Sequence, residues 1–210
     1  MKLTIFGATG ATGKCLVAGA LAAGHEVTAA VRDPGRMTIP PSARLHVVTA
    51  NVMDPAAIGP VVAGADAVLS ALGPHGTGPA TVSQDSVRGI IQAMDKTGVR
   101  RLVTISGAIV TDDGLGFFMR YLVFPLVRIR LRNVCADMRA AECEVRASQL
   151  DWTIIRPPTL TNKPARGSYR IAIDRNLAYG STLSRADLAT CMLKVLGDPS
   201  TVHHAVSTAY

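Results

Sequence analysis

A glycine-rich turn near the start of the chain is the feature that most restricts its fold. The apolar run Lys2–Phe6 leads into the segment GATGATG at residues 7–13, and Leu16, Val17 and Ala20 then share one helical face. The first turn of such a helix exposes backbone N–H groups at a positive dipole end, which suits a phosphate. The order of strand, glycine turn and helix therefore predicts a pyrophosphate-binding site.

Each glycine in this turn has a separate physical role. Gly7 permits the tight turn, Gly10 lets the backbone approach the pyrophosphate closely, and Gly13 lets the helix pack on the strand. The threonine hydroxyls can donate further hydrogen bonds. The spacing is GxxGxxG, and a glycine turn without a ligand is the alternative. The predicted pyrophosphate-binding residues are Gly7, Thr9, Gly10, Ala11, Thr12 and Gly13.

Short apolar runs alternate with helical patterns along the rest of the chain. The runs lie at 27–31, 45–48, 67–71, 102–105 and 152–155, and helical patterns lie around 87–94 and 137–147. Strands that are apolar on both faces and separated by helices predict a parallel sheet covered on both sides. We predict a Rossmann-like doubly wound α/β fold with three layers, α/β/α.

The tail of the chain has a different pattern. Residues 169–173 alternate like a strand, 185–196 are helical, and 205–207 form a last short apolar run. We find no internal repeat and no linker. The prediction is one domain over residues 1–210, with substrate-side elaboration around 112–147 and 158–184.

The end of the second predicted strand bears on the choice of cofactor. Arg32 follows Val31 directly, and Arg36 lies four residues later. An acidic residue at this strand end commonly binds the ribose hydroxyls of NAD, whereas a guanidinium pairs well with a 2′-phosphate. NADP is therefore the predicted cofactor. Asp33 keeps NAD as an alternative, and both arginines could be ordinary surface residues.

Other strand ends should meet at the same edge of the sheet, because ligands of doubly wound sheets bind at the carboxyl ends of the strands. The residues after the third strand suit the adenine ring, and those after the fourth would line the cofactor with their backbone. The fifth strand ends at Ser106. The further predicted cofactor-binding residues are Asn51, Val52, Ala71, Leu72, Gly73, Arg156 and Pro157.

Composition and charge argue against several other kinds of partner. The net charge is +7, yet the arginines are scattered and no aromatic residues are interleaved with them, so a nucleic-acid partner is not expected. The four cysteines form no Cys-x-x-Cys pair, and no histidine lies at metal-ligand spacing from them. We therefore expect no metal site, free thiols and a cytoplasmic protein.

The apolar stretch Phe117–Leu131 is interrupted by arginines and by Pro125. It is too short and too charged to span a bilayer, and we interpret it as a helical flap or an interfacial segment. We expect no signal peptide before the first strand. The partner we expect is a small-molecule substrate, with no membrane partner, and the protein could be a monomer or a dimer.

Several segments together resemble a known family. The chain is similar to atypical short-chain dehydrogenases/reductases of the NAD(P)H-binding, NmrA-like group, and especially to the biliverdin reductase B / flavin reductase branch. The resemblance implies a nicotinamide cofactor and hydride transfer. The matching segments are residues 7–13, Val31-Arg32-Asp33, Ala71-Leu72-Gly73, Val103–Ser106, Leu150–Pro158 and Ser184–Ala189.

The chain departs from this family at the catalytic signature Tyr-x-x-x-Lys. The residues four after Tyr121, Tyr169 and Tyr179 are proline, isoleucine and leucine. Thr159 stands where the flavin reductase branch has a histidine after its Pro-Pro, and Ser106 retains a serine typical of the branch.

A missing proton donor matters least when the acceptor delocalises negative charge. We therefore predict reduction of a conjugated acceptor, such as a flavin, quinone, tetrapyrrole or enone. The alternative is a non-catalytic NmrA-like protein that senses NADP(H) or regulates a partner.

Ser106 is the predicted catalytic residue, as a hydrogen-bond donor to substrate or nicotinamide. A serine that caps the strand end is the alternative. His75 in its loop and Tyr121 in the flap are lesser candidates, for which a solvent-facing histidine and a packed tyrosine are expected. Glu142 and Asp187 are interpreted as helix-surface or structural ion-pair residues.

Overall fold

The computed structural model describes residues 1–74, 81–111, 121–122 and 124–210. The strands are β1 Lys2–Phe6, β2 Glu26–Val31, β3 Leu45–Thr49, β4 Ala67–Ser70, β5 Arg101–Ile105, β6 Asp151–Arg156, β7 Thr159–Thr161, β8 Arg170–Ile173, β9 Thr182–Ser184 and β10 His204–Ala209. The helices are α1 Ala11–Ala22, α2 Pro55–Val62, α3 Val82–Thr97, α4 Phe124–Arg130, α5 Arg132–Ala147 and α6 Arg185–Leu196. None of the helices in these ranges is long and apolar enough to cross a bilayer.

Eight strands form one sheet in the order β3-β2-β1-β4-β5-β6-β10-β8. The strands from β3 to β10 in this order run parallel, and β8 pairs antiparallel with β10 at one edge. The chain reverses its direction of winding between β1 and β4, as in a doubly wound fold. The predicted fold class is confirmed. The parallel pair of β7 and β9 is a further small sheet that the sequence pattern did not predict.

The two faces of the sheet bury separate apolar clusters, because successive side chains of a strand point to opposite sides. Leu3 and Ile5 of β1 pack on the side that α1 and α6 cover. Phe6 joins the opposite cluster, with residues of α2 and α3 such as Ile58 and Ile90. Helix α5 packs against α3, so this part of the predicted elaboration belongs to the helical layer.

Helix α1 approaches the glycine turn more closely than any side chain would permit. A Cβ atom built on Gly13 lies 2.0 Å from the carbonyl oxygen of Gly7. That carbonyl also accepts a hydrogen bond from the Gly10 N–H at 2.9 Å. Gly7 itself has φ +76°, and a Cβ there would lie 2.9 Å from the Ala71 carbonyl. The position of α1 relative to β1 and β4 therefore depends on two missing side chains.

Asp187 in α6 is buried, so our interpretation of it as a helix-surface residue is wrong. Only 1% of it is exposed. Its carboxylate accepts hydrogen bonds from the hydroxyls of Ser184 and Tyr210 and from the backbone N–H groups of Arg166 and Gly167. Burial alone would raise the pKa of Asp187, but these hydrogen bonds outweigh it and lower the pKa. The carboxylate therefore holds α6, β10 and the loop before β8 together.

We expect Asp187→Asn to lower the free energy of unfolding at neutral pH by about 1–3 kcal/mol, since the amide leaves some of these donors unpaired. A lowered pKa in the folded state stabilises the protein above the unfolded value of about 3.9, and this stabilisation is lost as the pH falls below it. Urea unfolding at a series of pH values should therefore show that the unfolding free energy of the variant falls less with decreasing pH than that of the wild type. Asp95→Asn, an exposed site with the same charge change, should alter the unfolding free energy by less than about 0.5 kcal/mol.

We expect Gly13→Ala to lower the unfolding free energy by about 3 kcal/mol or more, because a Cβ there overlaps the Gly7 carbonyl. Gly197→Ala is the matched control, since a Cβ at Gly197 meets no atom within 4 Å. Urea denaturation of both variants measures the difference. Equal stability of the two variants would contradict the packing described for α1.

Candidate cofactor and substrate site

The amino end of α1 offers backbone donors at the carboxyl edge of the sheet. Gly10 precedes the helix in an extended conformation, and no side chain caps the helix there. Gly10 and Ala11 are exposed, and Thr9 and Thr12 are half-buried. The first N–H groups of a helix have no partner within it, so this turn can hold an anionic group such as a pyrophosphate.

The sheet order places the predicted site residues in one row. The residues that follow β2, β1, β4 and β5, which are neighbours in this order, include Arg32, Gly7, Ala71 and Ser106. Strands lie about 4.8 Å apart, so three steps from β2 to β5 cover roughly 14 Å. An extended dinucleotide fits such a row, with its adenosine end near β2 and its other end near β5.

The turn after β2 leaves both arginines exposed and occupies part of the neighbouring carboxylate. Asp33 Oδ1 accepts a hydrogen bond from the Gly35 N–H at 2.9 Å, which closes a short 3-10 turn, Pro34–Arg36. Arg32 and Arg36 are exposed, and neither forms an ion pair with an acidic residue in the described ranges. Both guanidinium groups are therefore free to pair with an anion at this strand end.

The residues after β3 and β4 lie at the carboxyl edge of the sheet. Asn51 is exposed, and its side-chain oxygen accepts a hydrogen bond from the Met53 N–H at 3.1 Å. Val52 is buried, and its carbonyl lies 2.6 Å from a Cβ built on Gly89 of α3. The three residues after β4, Ala71, Leu72 and Gly73, are all half-buried. The Ala71 N–H donates to the Phe6 carbonyl at 3.0 Å, so this segment runs beside the glycine turn.

A cavity of about 520 Å³ opens beyond the carboxyl ends of β5, β6 and β10. Its walls are mostly apolar and come from the segment after β5, from α4 and α5, and from the loop between β8 and β9. Its volume is in the range of small-molecule binding sites. The polar side chains on its walls are Ser106, Arg156, Thr159, Asn176, Ser181, Ser207 and Thr208.

Ser106 lies at the junction of the cofactor row and this cavity. Its backbone N–H donates to the Ile155 carbonyl at 2.8 Å, which continues the pairing of β5 with β6. Only 7% of the residue is exposed, and its hydroxyl has no hydrogen-bond partner among the described residues. Buried hydroxyls nearly always have a hydrogen-bond partner. The Ser106 hydroxyl is therefore available to bond a group bound in the cavity.

Arg156 lies on the cavity wall and forms a buried ion pair. Its Nε donates to Glu142 Oε1 at 2.9 Å, and its terminal nitrogen Nη2 donates to Glu142 Oε2. This bidentate pair joins β6 to α5 and supports the ion-pair interpretation of Glu142. The carboxylate occupies the edge of the guanidinium formed by Nε and Nη2. Pro157 follows it on the cavity wall.

Asn176 is a cavity residue that sequence reasoning missed. Its side-chain nitrogen donates to the carbonyls of Ala108 and Thr111 at 3.0 and 2.8 Å, and its side-chain oxygen accepts from Ser207. The amide thus fixes the segment that follows Ser106. No sequence signal could have found it, because a single asparagine in a loop has no characteristic spacing to its partners.

None of the four tyrosines lines the described part of the cavity. Tyr121 and Tyr179 are 62% and 94% exposed, and Tyr210 donates to Asp187. Tyr169 packs beside the core, and burial raises its pKa. A tyrosine acid is therefore not positioned in the described part of the cavity. His75 and residues 117–120 and 123 of the predicted flap lie outside the described residues.

Two curated relatives match most of the chain. An uncharacterized chloroplastic protein of Arabidopsis thaliana is 29% identical over 206 residues, which cover 93% of this chain and 71% of that protein. An oxidoreductase of Pestalotiopsis microspora is 29% identical over 212 residues, which cover 92% of this chain and 79% of the relative.

Solved structures share the fold over the whole chain. A protein of Burkholderia pseudomallei is 26% identical with a TM-score of 0.83, and all of both chains is covered. A short-chain dehydrogenase/reductase of Veillonella parvula, solved in complex with NADP, is 20% identical with a TM-score of 0.81 and covers 100% of this chain and 94% of its own.

The sequence pattern of a family described as NAD(P)H-binding matches residues 7–199, from the first glycine of the turn to Pro199, which lies shortly after the end of α6. This range includes the glycine turn and the residues that follow β2, β4 and β5 at the carboxyl edge of the sheet. The chain belongs to this NAD(P)H-binding family.

Proposed function

We propose that this protein is an NADPH-dependent reductase that transfers a hydride to a conjugated small-molecule acceptor bound in the apolar cavity. Membership of an NAD(P)H-binding family supports the cofactor class. The relative named as an oxidoreductase and the resemblance to the flavin reductase branch of the NmrA-like group support the reaction class.

The preference for NADP over NAD is supported by the turn after β2. Arg32 and Arg36 are exposed there, and one carboxylate oxygen of Asp33 already accepts a hydrogen bond from the Gly35 N–H. A 2′-phosphate would find two guanidinium groups, whereas ribose hydroxyls would find a partly occupied carboxylate. The Veillonella parvula structure in complex with NADP agrees with this choice.

The observation on which the reaction depends is the hydroxyl of Ser106, which lines an apolar cavity and has no hydrogen-bond partner among the described residues. The cofactor supplies a hydride, and the acceptor takes it together with one proton, so that NADPH, acceptor and H⁺ give NADP⁺ and reduced acceptor. The lining contains no tyrosine, lysine, histidine or carboxylate in the described part of the cavity. A conjugated acceptor suits such a lining, because it delocalises charge and can take its proton from solvent or a hydroxyl.

The roles of the other residues follow from this placement. The glycine turn holds the pyrophosphate through Gly7, Thr9, Gly10, Ala11, Thr12 and Gly13. The adenine is held by Asn51 and Val52. The rest of the cofactor is lined by Ala71, Leu72, Gly73 and Pro157. Ser106 donates a hydrogen bond to the acceptor. Arg156 acts mainly by fixing β6 to α5 through Glu142, and it also lines the cavity.

We expect Arg32→Ala to weaken NADPH binding about tenfold or more and to leave NADH binding unchanged, because it removes charged hydrogen bonds to the 2′-phosphate alone. Isothermal titration with both cofactors measures this difference. Arg44→Ala is the matched control, since Arg44 is an exposed arginine beside the opposite end of the β2–β3 pair. Equal affinity for both cofactors, unaffected by Arg32→Ala, would refute the NADP preference.

We expect at least one of a flavin, a short-chain quinone and an enone to accelerate NADPH oxidation, and Ser106→Ala to lower kcat for that acceptor by about 10²-fold. Stopped-flow absorbance of NADPH gives the rate. Ser181→Ala removes another hydroxyl from the cavity wall and should change kcat little. NADPH binding without oxidation by any acceptor would favour an NADP(H)-sensing protein instead.

A further inference from the structure

Helix α4 is apolar on the side that faces away from the cavity. Leu126 and Ile129 are 66% and 71% exposed. They lie three residues apart and therefore share one side of the helix. Leu122, just before the helix, is 56% exposed. Large aliphatic side chains this exposed and this close together commonly mark an interaction surface.

Positive charge surrounds these leucines and this isoleucine. Arg130 and Arg132 are exposed, and Arg130 lies one helical turn from Leu126. Arg128 is half-buried and donates to the Val110 carbonyl at 3.1 Å. From residue 114 to residue 136 the sequence has four arginines and no aspartate or glutamate. We define the α4 face as Leu122, Leu126, Ile129, Arg130 and Arg132.

The charge of the α4 face restricts what can cover it. In a symmetric pair of chains the same patch would meet itself, so arginines would lie near arginines. An anionic bilayer matches both properties of the face, since its headgroups attract arginines and its acyl boundary accepts leucine and isoleucine. The net charge of +7 adds a favourable long-range term.

We propose that the α4 face docks the protein on the surface of an anionic membrane. The helix lies in the plane of the interface with Leu126 and Ile129 in the headgroup region, while Arg130 and Arg132 pair with lipid phosphates.

The same helix forms a wall of the cavity. Val127 of α4 and Leu131 just after it line the cavity, so α4 lies between the cavity and the α4 face. Docking through the α4 face therefore brings the cavity within about one helix diameter of the lipid interface. If the proposed reductase function holds, the acceptors best supplied by this geometry are lipophilic, such as quinones dissolved in the bilayer.

Vesicle flotation of the full chain tests the docking directly. The wild type should float with vesicles of phosphatidylcholine and phosphatidylglycerol at low salt and remain behind with phosphatidylcholine alone. The double variants Leu126→Gln/Ile129→Gln and Arg130→Gln/Arg132→Gln should each reduce binding by roughly tenfold or more. The double variant Ile171→Gln/Ile173→Gln removes exposed isoleucines from edge strand β8 and should bind as the wild type does.

All variants should have the NADPH affinity and the unfolding midpoint of the wild type, which establishes that the flotation experiment compares folded proteins. The docking proposal is overturned if the wild type does not bind anionic vesicles, or if the α4 variants bind as well as the wild type. It is also overturned if these variants instead dissolve a dimer seen by sedimentation, since a second copy then covers the face, or if they release an acidic protein partner while vesicles are not bound.

Turnover provides a separate readout. NADPH oxidation by a long-chain quinone in anionic vesicles should be slowed by the α4 variants, whereas oxidation by a short-chain quinone in solution should not. Vesicle binding without reduction of any quinone, flavin or enone would overturn the reductase function and leave the docking surface standing. Reduction of both quinones without vesicle binding would overturn the docking alone.

Discussion

The contact between Gly13 and the Gly7 carbonyl determines how the rest of the site is arranged. Because no side chain stands between α1 and the turn, the helix begins directly above the carboxyl end of β1. The same turn lies against the backbone after β4. One helix end, one turn and two neighbouring strands therefore act as a rigid unit, and an anion held there has a fixed distance to β2 on one side and β5 on the other.

Much of the fold can be predicted from the sequence, because strands buried on both faces must be apolar throughout. The predicted fourth strand ends one residue early, at Ser70, although the Ala71 N–H still donates to the Phe6 carbonyl. Helix α2 was not predicted, since Gly59 and Pro60 interrupt its pattern, and it is held by an Asp54 cap and buried Ile58. Strands of three residues, such as β7, are too short to show a period.

The predicted part of the site and the unpredicted part differ in a physical way. Residues such as Arg32 and Ser106 follow from topology, because parallel strands end at one edge. The support behind them depends on pairs that no spacing reveals. The side chain of Glu142 in α5 pairs with Arg156 in β6, and the side chain of Asn176 donates to the carbonyl of Ala108, 68 positions earlier. His75 falls outside the described residues, so its expected place in a solvent-facing loop stays a prediction.

The position of β10 between β6 and β8 has a consequence for biosynthesis. Strand β8 is made about thirty residues before β10, yet its sheet partner is β10. A single domain folds as a unit. The β8 side of the cavity waits for β10, and α1 waits for α6, which covers the same face of the sheet. A nascent chain therefore completes its cofactor edge and its substrate cavity together, only after β10 has left the ribosome.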